Sequence, residues 1–246
     1  EFLSEADYTV SLTHNGEGVI HCWTEIKGQP VPIQVIPCCA DLDRFSQAAI
    51  DKAKLAELRQ QFSIKEDDFI LSYLGSIGTW YMPDEMLDFF KCLLQHRPDA
   101  RFLFITPDDK KHILDLAISK GLSADKFIIT AAPHKLVPTY LSLSTASLFF
   151  IKPVFSKRAS SPTKQGEIMG LGIPQVCNAN VGDINEIVDE KTGVLVHNFA
   201  TTDYEAAVKS LLNSPYNPAY IRERAKFFYS LTGGVENYAS VYRQIT

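Results

Sequence analysis

The middle of the chain alternates short apolar runs with amphipathic segments, and this alternation restricts the fold more than any other feature. The runs are mostly apolar throughout, which is typical of strands covered on both faces of a sheet. A helical segment lies between most successive runs, as parallel strands require. We therefore predict an α/β fold, a Rossmann-like doubly wound parallel sheet of about six strands. The predicted strands are Phe69–Leu74, Ala100–Thr106, Lys126–Ala131, Ser147–Ile151, Gln175–Asn178 and Gly193–His197.

Helices are predicted where apolar residues recur at helical spacing between and after these strands. The doubly wound domain is expected to extend from about Asp67 to about Leu212, and Gly121 and Gly172 are expected to end two of its helices. The predicted helices are Pro83–Arg97, Asp108–Lys120, Thr139–Ser144, one that starts after Ser160, one around Ile184–Val188, Asp203–Leu212, Ile221–Phe228 and Val235–Tyr242.

The amino-terminal stretch is predicted to hold two strands, Ala6–Leu12 and Pro30–Pro37, and two helices, His14–Trp23 and Ala48–Phe62. Prolines limit the second strand, because proline cannot donate a hydrogen bond to a sheet. These elements are too few to fold alone. We therefore expect them to pack on later elements or on an absent domain, and we expect the chain to be a portion of a longer protein.

The segment Ser160–Pro174, SSPTKQGEIMGLGIP, predicts a helix with an unusually polar start. Ser161 is expected to be the N-cap and Pro162 the first helical residue, with Thr163 and Lys164 next. Hydroxyl groups, an ammonium group and free backbone N–H groups would then meet at the positive end of the helix dipole, where anions bind. Since a buried strand precedes it, this start lies on the ligand side of an open α/β sheet. An ordinary capped helix is the simpler interpretation.

The loop after the first predicted strand is a second candidate for ligand binding. Its sequence is GSIGT, in which Gly75 and Gly78 would let the backbone approach a ligand closely. Ser76 and Thr79 offer hydroxyl groups. A tight turn between a strand and a helix is the competing interpretation, and it is favoured if the loop is taken alone.

The loop Ala132–Tyr140, after the third predicted strand, is a third candidate. Its residues, His134 and Val137 among them, could form a half-apolar slot for a base ring, with backbone groups reading the edge of the ring. An exposed loop with one surface histidine is the competing interpretation.

Composition and missing motifs exclude several classes of function. The net charge of −5 and the pI near 5.7 leave no basic surface for nucleic acid. The sequence has no apolar run long enough to span a membrane and no G-x-G-x-x-G, Walker A or G-x-S-x-G motif. Its five cysteines lack metal-ligand spacing, and Cys92 and Cys177 are expected in the core. We expect a reducing, cytoplasmic setting.

Five stretches of the sequence form a recognisable set of motifs. The first is VIPCCADLDRF, residues 35–45, and the others are YLGSIGTW, APHKLVPTYL, SPTKQGEIMGLGIPQVCN and GDINEIVDEKTGVLV. Together they resemble the retaining glycosyltransferases of family 4, which have two Rossmann-like domains. VIPCCADLDRF resembles the linker between those domains, and the other four resemble motifs of the carboxyl-terminal domain in order and spacing. The resemblance extends from about Tyr8 to Val196, and its specificity lies in the set rather than in any single motif.

The resemblance implies three parts. Residues 1–45 would be a remnant of the amino-terminal, acceptor-binding domain with the linker, and residues 46–230 would bind the nucleotide-sugar donor. Residues 231–246 would form the helix that folds back toward the amino-terminal domain. The implied partners are a nucleotide-diphosphate-sugar, the missing amino-terminal domain and an unidentified acceptor. Peripheral membrane association through the missing domain and a role in polysaccharide biosynthesis are compatible with this family.

The resemblance also implies the transfer of a sugar to an acceptor hydroxyl with retention of configuration. No metal or cofactor is needed, because a helix start and basic side chains neutralise the diphosphate. Ser161, Thr163 and Lys164 would hold the diphosphate, and Lys164 would stabilise charge on the leaving group. Glu167, the second acid of the family's E-x7-E pattern, would bind the ribose hydroxyls, and Val137 would frame the base. Lys164 and Glu167 are therefore the expected catalytic residues.

Two departures from the family pattern leave alternatives open. Ala159 stands where the first acid of E-x7-E is expected, and the usual basic pair is absent from the loop after the first strand. Arg158 or Lys157 could supply the missing positive charge. An inactive nucleotide-sugar-binding or scaffolding module is one alternative. A nonhydrolysing sugar-nucleotide epimerase of related fold is another, although its histidine and carboxylate positions have no match here.

Overall fold

A computed structural model describes residues 2–28 and 31–246, so that Pro30 of the second predicted strand lies outside the described residues. The described part contains eight strands and eleven α-helices. The strands are β1 Thr9–Ser11, β2 Ile33–Val35, β3 Ile70–Leu74, β4 Arg101–Ile105, β5 Phe127–Thr130, β6 Ala146–Phe149, β7 Gln175–Asn178 and β8 Gly193–Val196. The α-helices are α1 Phe2–Glu5, α2 His14–His21, α3 Lys52–Gln61, α4 Pro83–His96, α5 Lys110–Ser119, α6 Val137–Leu141, α7 Thr163–Gly170, α8 Ile184–Ile187, α9 Thr201–Asn213, α10 Pro218–Tyr229 and α11 Leu231–Ile245.

Six of the strands form one parallel sheet in the order β5-β4-β3-β6-β7-β8. Strands β3 and β6 are neighbours in the centre, and the chain winds outward from them in opposite directions. This order is that of a doubly wound Rossmann-like sheet, and it confirms the predicted α/β fold. The reversal between β3 and β6 opens a crevice at the carboxyl ends of these two strands, where open α/β sheets bind ligands.

The core surrounds this sheet. All five residues of β3 are buried, as expected for a central strand covered on both faces. Helix α4 packs against α9 through Phe89 and Tyr204, whose ring centroids lie 6.0 Å apart. Cys92 and Cys177 are buried, as predicted. No helix in the described ranges is long and apolar enough to cross a membrane.

Most predicted elements are confirmed within a few residues, and the differences have local causes. Helix α6 begins at Val137 rather than Thr139, because Pro138 fits the first turn of a helix. Helix α5 begins at Lys110 rather than Asp108, because the Asp109 carboxylate caps it. The sequence did not predict the short helix α1.

Helix α7 begins one residue later than predicted. Thr163 is its first residue, and Pro162, with a ψ of 113°, is the N-cap. The prediction that Ser161 caps the helix is wrong, because its Oγ accepts a hydrogen bond from the N–H of Cys38 at 3.1 Å instead. Gly172, at a φ of +75°, ends the helix as predicted.

The amino-terminal elements are joined to the segments that precede α7 and α8. Asp183 accepts hydrogen bonds from the N–H groups of His14 and Asn15 at the start of α2, at 2.7 and 3.1 Å. The hydroxyl of Thr13 donates to the carbonyl of Arg158 at 2.8 Å. The first elements therefore pack on later elements of the chain, which is one of the two arrangements that the sequence predicts.

Close packing of α7 on α10 depends on a glycine. A Cβ at Gly166 would lie 2.7 Å from Cγ of Tyr229 and 3.0 Å from Cβ of Ala40. Tyr229 is fully buried, and its hydroxyl donates to Gln165 at 2.8 Å, which restrains the ring. There is therefore no room for a methyl group at position 166.

We predict that Gly166→Ala lowers the free energy of unfolding by about 1–3 kcal/mol, the usual cost of overpacking. Urea denaturation measures this change. Gly18→Ala in α2 is a matched control, because nothing lies within 4 Å of the added Cβ and removing a helical glycine stabilises by about 0.5–1 kcal/mol. Equal effects of the two substitutions would contradict the packing described here.

Candidate active site

The crevice at the switch point is formed by the loops that follow β3 and β6. Tyr81 and Ile151 form an antiparallel bridge between these loops. On one side of the bridge the N–H of Met82 donates to the carbonyl of Phe150 at 3.1 Å. On the other side the N–H of Lys152 donates to the carbonyl of Trp80 at 2.9 Å. The pairing holds the Tyr81 side chain beside the start of α7.

Lys164 occupies the centre of this crevice. Its Nζ lies 3.7 Å from the ring centroid of Tyr81, 4.5 Å from that of Tyr73 and 3.4 Å from the Tyr73 hydroxyl. The faces of the two rings attract the ammonium group through cation–π interactions. Burial nevertheless lowers the pKa of Lys164 to about 7, although the Glu167 carboxylate opposes this shift. The site thus holds a cation that lacks much of its hydration.

Gly75 lets the lysine lie against the backbone turn after β3. Its φ is +107°, and a Cβ there would lie 3.0 Å from Nζ of Lys164. Any other residue would be strained and would crowd the ammonium group. The structure therefore brings together two of the predicted site residues, one from each side of the crevice.

Glu167 lies three residues after Lys164 and is half-buried. Burial raises its pKa, while the charges of Arg44 and Lys164 oppose the increase. Arg44 comes from the linker before α3 and donates to the ring of His134 at 2.7 Å and to the His134 carbonyl. Sequence reasoning missed Arg44, although it lies within the VIPCCADLDRF motif. Arg44 thus hydrogen-bonds to the His134 loop and interacts with Glu167 through its charge.

The loop of Ser76 is bound to an acid that sequence reasoning also missed. The Ser76 hydroxyl donates to Asp108 at 2.8 Å, and the N–H of Ile77 donates to the same carboxylate. Burial alone would raise the pKa of Asp108, but these bonds and one with Thr106 hold it below its ordinary value. Gly78 and Thr79 line a separate cavity of about 690 Å³ beside Asp108.

The remaining predicted site residues are spread around α7. Thr163 is exposed at its first position, and Ser161 is tied to the linker. Val137 begins α6 and packs on the core. Arg158 is exposed, with its guanidinium carbon 5.7 Å from the centroid of the Phe155 ring. Of the basic residues proposed for the site, Lys164 is thus the one beside Gly75.

The arrangement is suited to binding an anion. It combines a half-buried lysine, the amino terminus of an eight-residue helix and a glycine turn that leaves the backbone accessible. Within the described ranges, no cluster of three or more histidine, cysteine, aspartate or glutamate residues could hold a metal ion. Positive charge from Lys164 and the helix start is what the chain itself supplies to an anionic ligand.

We predict that Lys164→Met raises the free energy of unfolding by about 1 kcal/mol or more at pH 6–7, because it removes a buried charge. The pKa of Lys164 is about 7 in the folded chain and about 10.5 in the unfolded chain. Between pH 7 and 10.5, the lysine is therefore protonated in the unfolded chain and largely deprotonated in the folded chain. The free energy of unfolding of the wild-type chain therefore increases relative to that of the variant as pH rises from 7 toward 10.5. Urea denaturation at pH 6, 8 and 9.5 tests this, and a difference that does not change with pH would contradict it.

Comparison with known proteins agrees with this architecture. A family model described as glycosyl transferases group 1 matches residues 55–227. Among solved structures, the chain is similar to sucrose-phosphate synthase from Thermosynechococcus elongatus, with a TM-score of 0.72 and 19% identity over 99% of this chain and 59% of that one. It is also similar to Anabaena HepE in complex with UDP and glucose, with a TM-score of 0.74 and 13% identity over 97% of this chain and 63% of that one.

Curated relatives are similar over most of the chain. The D-inositol 3-phosphate glycosyltransferase of Mycobacteroides abscessus is 26% identical over 93% of this chain and 47% of its own length. The alpha-D-kanosaminyltransferase of Streptomyces kanamyceticus is 24% identical over 82% of this chain and 52% of its own. The chain thus spans about half the length of the curated relatives it matches. Because the family model covers more than half of the sequence and the doubly wound sheet fits it, the chain belongs to the group 1 family of glycosyl transferases.

Proposed function

We propose that this chain binds the nucleotide-diphosphate-sugar donor of a retaining glycosyltransferase of family 4. In the complete protein, the sugar passes to an acceptor hydroxyl. The names of the curated relatives support sugar transfer, and the UDP and glucose bound to HepE support a nucleotide-sugar donor. The observation that carries the proposal is the position of Lys164, whose ammonium group lies against the Gly75 turn at the switch point.

In this proposal the diphosphate binds between the start of α7 and the Gly75 turn. Lys164 and the hydroxyl of Thr163 contact its oxygens, with Ser161 beside them. When the bond from the anomeric carbon to the diphosphate oxygen breaks, negative charge grows on the leaving group. The Lys164 ammonium and the dipole of α7 stabilise that charge without a metal ion or cofactor.

The nucleoside part of the donor extends toward Glu167 and the His134 loop. Glu167 accepts hydrogen bonds from the ribose hydroxyls, and its half-buried position supports this role. His134 and Val137 border the base. We add Arg44 to this set, because its guanidinium group bonds to His134 and its charge acts on Glu167.

Lys164 also takes over from the basic pair that the family pattern places after β3. Its Nζ reaches the turn where those side chains would begin. The other two candidates lie beside other aromatic rings than Tyr73 and Tyr81, since Nζ of Lys157 lies 4.0 Å from the Trp80 ring centroid and Arg158 lies near Phe155. We therefore assign the main role in diphosphate binding to Lys164 and a minor one to Arg158.

An inactive nucleotide-sugar-binding module is the second candidate. The observation that favours it is Ala159, which ends the short 3-10 helix Phe155–Ala159 and supplies no carboxylate where the family has its first acid. Donor binding is common to both candidates, and turnover by the complete protein separates them.

We predict that Lys164→Ala weakens nucleoside-diphosphate binding by about 1.5–3 kcal/mol, the range for hydrogen bonds to charged groups. Isothermal titration calorimetry at pH 6, below the pKa of Lys164, measures the change while the wild-type side chain is charged. Lys191→Ala is the control, because that ammonium lies 5.5 Å from the Tyr220 ring centroid, outside the site. Unchanged affinity in a folded Lys164→Ala variant would refute the phosphate-site assignment.

We also predict that the 246-residue chain binds a nucleotide but transfers little sugar, because about half the length of its relatives is not in it. Release of nucleoside diphosphate from the donor, with and without acceptor sugars, measures transfer by this chain and by the complete protein. Robust turnover by the 246-residue chain alone would contradict the prediction. If the complete protein binds the donor but shows no turnover, that result would favour the inactive module.

A further inference from the structure

A second cavity adjoins the Lys164 site and has a different chemistry. It has a volume of about 270 Å³, and Trp80, Tyr81, Ile151, Lys157 and Ala159 are among the residues that line it. We call it the Trp80 cavity. The Tyr81 ring joins it to the Lys164 site, because that ring lies in its wall and also contacts the ammonium group. Ser161 and Pro162, just before α7, line it as well.

The Trp80 cavity offers apolar surface and a single positive charge. Two aromatic rings and aliphatic side chains form most of its wall, and Lys157 is the charged member of the described lining residues. None of those lining residues is acidic. Among the described residues, no carboxylate lies within ion-pair distance of Lys157, whose Nζ instead lies 4.0 Å from the Trp80 ring centroid. Lys157 is therefore available to an anionic group on a ligand.

The backbone fixes the position of this lysine. The carbonyl of Lys157 accepts hydrogen bonds from the N–H of Gly182 at 2.9 Å and from the N–H of Ser160 at 3.1 Å. Gly182 itself has no room for a side chain, because a Cβ there would collide with the Ser160 carbonyl. The segment that carries Lys157 is thus packed in place, so that only its side chain has to adjust to a ligand.

We propose that the Trp80 cavity receives the transferred sugar and selects one that bears a carboxylate, a hexuronic-acid type of glycosyl group, through Lys157. This inference rests on the proposed function, because it assumes that the diphosphate lies at Lys164. The Lys157 ammonium, now over the Trp80 ring, moves to pair with the sugar carboxylate in a charge-assisted hydrogen bond, and the C–H face of the sugar takes its place on the ring.

Ala159 is part of the same selection. An acid at this position would add a negative charge to the cavity that receives the sugar, where like charges a few ångströms apart repel strongly. Alanine removes that repulsion. The absence of the first acid of E-x7-E and the presence of Lys157 therefore favour the same class of sugar. A neutral sugar would lose hydrogen bonds to the missing acid, and its hydroxyl groups would accept only weaker hydrogen bonds from the lysine than a carboxylate does.

Calorimetry on the 246-residue chain tests the inference in two stages. UDP and GDP are titrated first, to identify the nucleoside diphosphate that binds. The hexose, N-acetylhexosamine and hexuronate donors of that nucleotide are then compared. We expect the hexuronate donor to bind about tenfold or more tightly than the neutral hexose donor, as one hydrogen bond to a charged group would provide.

Variants at position 157 identify the source of the preference. Lys157→Met removes the charge but keeps an unbranched side chain beside Trp80, and it should abolish the preference, whereas Lys157→Arg should keep it. Lys152→Met is the matched control, because it removes a nearby positive charge that does not line the Trp80 cavity, and the preference should survive it.

The outcomes separate this inference from the proposed function. Failure of both nucleoside diphosphates to bind would refute the proposed function. Binding of one of them, with a hexuronate donor no tighter than the hexose donor, would overturn only the sugar assignment. A preference that persists in Lys157→Met, or tightest binding of the N-acetylated donor, would overturn it as well.

Discussion

The contact of the Lys164 ammonium group with two tyrosine rings and the Gly75 turn is the interaction on which the site depends. It joins four separate parts of the fold, because Tyr73 comes from β3, Gly75 from the turn after it, Tyr81 from the bridged loop and Lys164 from α7. Each part is held by the sheet or by the Tyr81–Ile151 bridge. The ammonium group is therefore positioned before any ligand arrives, which limits the reorganisation that binding requires.

This arrangement has an energetic cost that the rest of the fold offsets. A lysine whose pKa lies near 7 is destabilising when it carries its charge, since burial removes water that the tyrosine faces replace only in part. The central sheet, with β3 wholly buried, supplies the apolar burial that offsets this cost. Stability given up at a site where charge must be stabilised is a common feature of active sites.

The sequence predicted the sheet well because buried parallel strands consist of continuous apolar runs, which can be recognised without knowledge of tertiary contacts. It also located Lys164 and Glu167 on one helix. It could not find Tyr73, which is indistinguishable from other residues of a buried strand, or the Asp108 partner of Ser76, 32 residues away. The misplaced N-cap has the same origin, since Ser161 bonds to the linker residue Cys38, far away in sequence.

In the proposed site, the positive charge comes from α7 rather than from the loop after β3. The Ser76 hydroxyl and the Ile77 N–H bind the Asp108 carboxylate, so this loop already holds an anion of the chain itself. A diphosphate near Gly75, as we propose, would therefore contact the Lys164 ammonium from the helix side. If Lys164 provides the main positive charge, as we propose, the affinity for a diphosphate depends on the protonation of Lys164, and a bound anion in turn favours the protonated form. In the proposed site, donor binding and proton uptake would be thermodynamically linked above about pH 7.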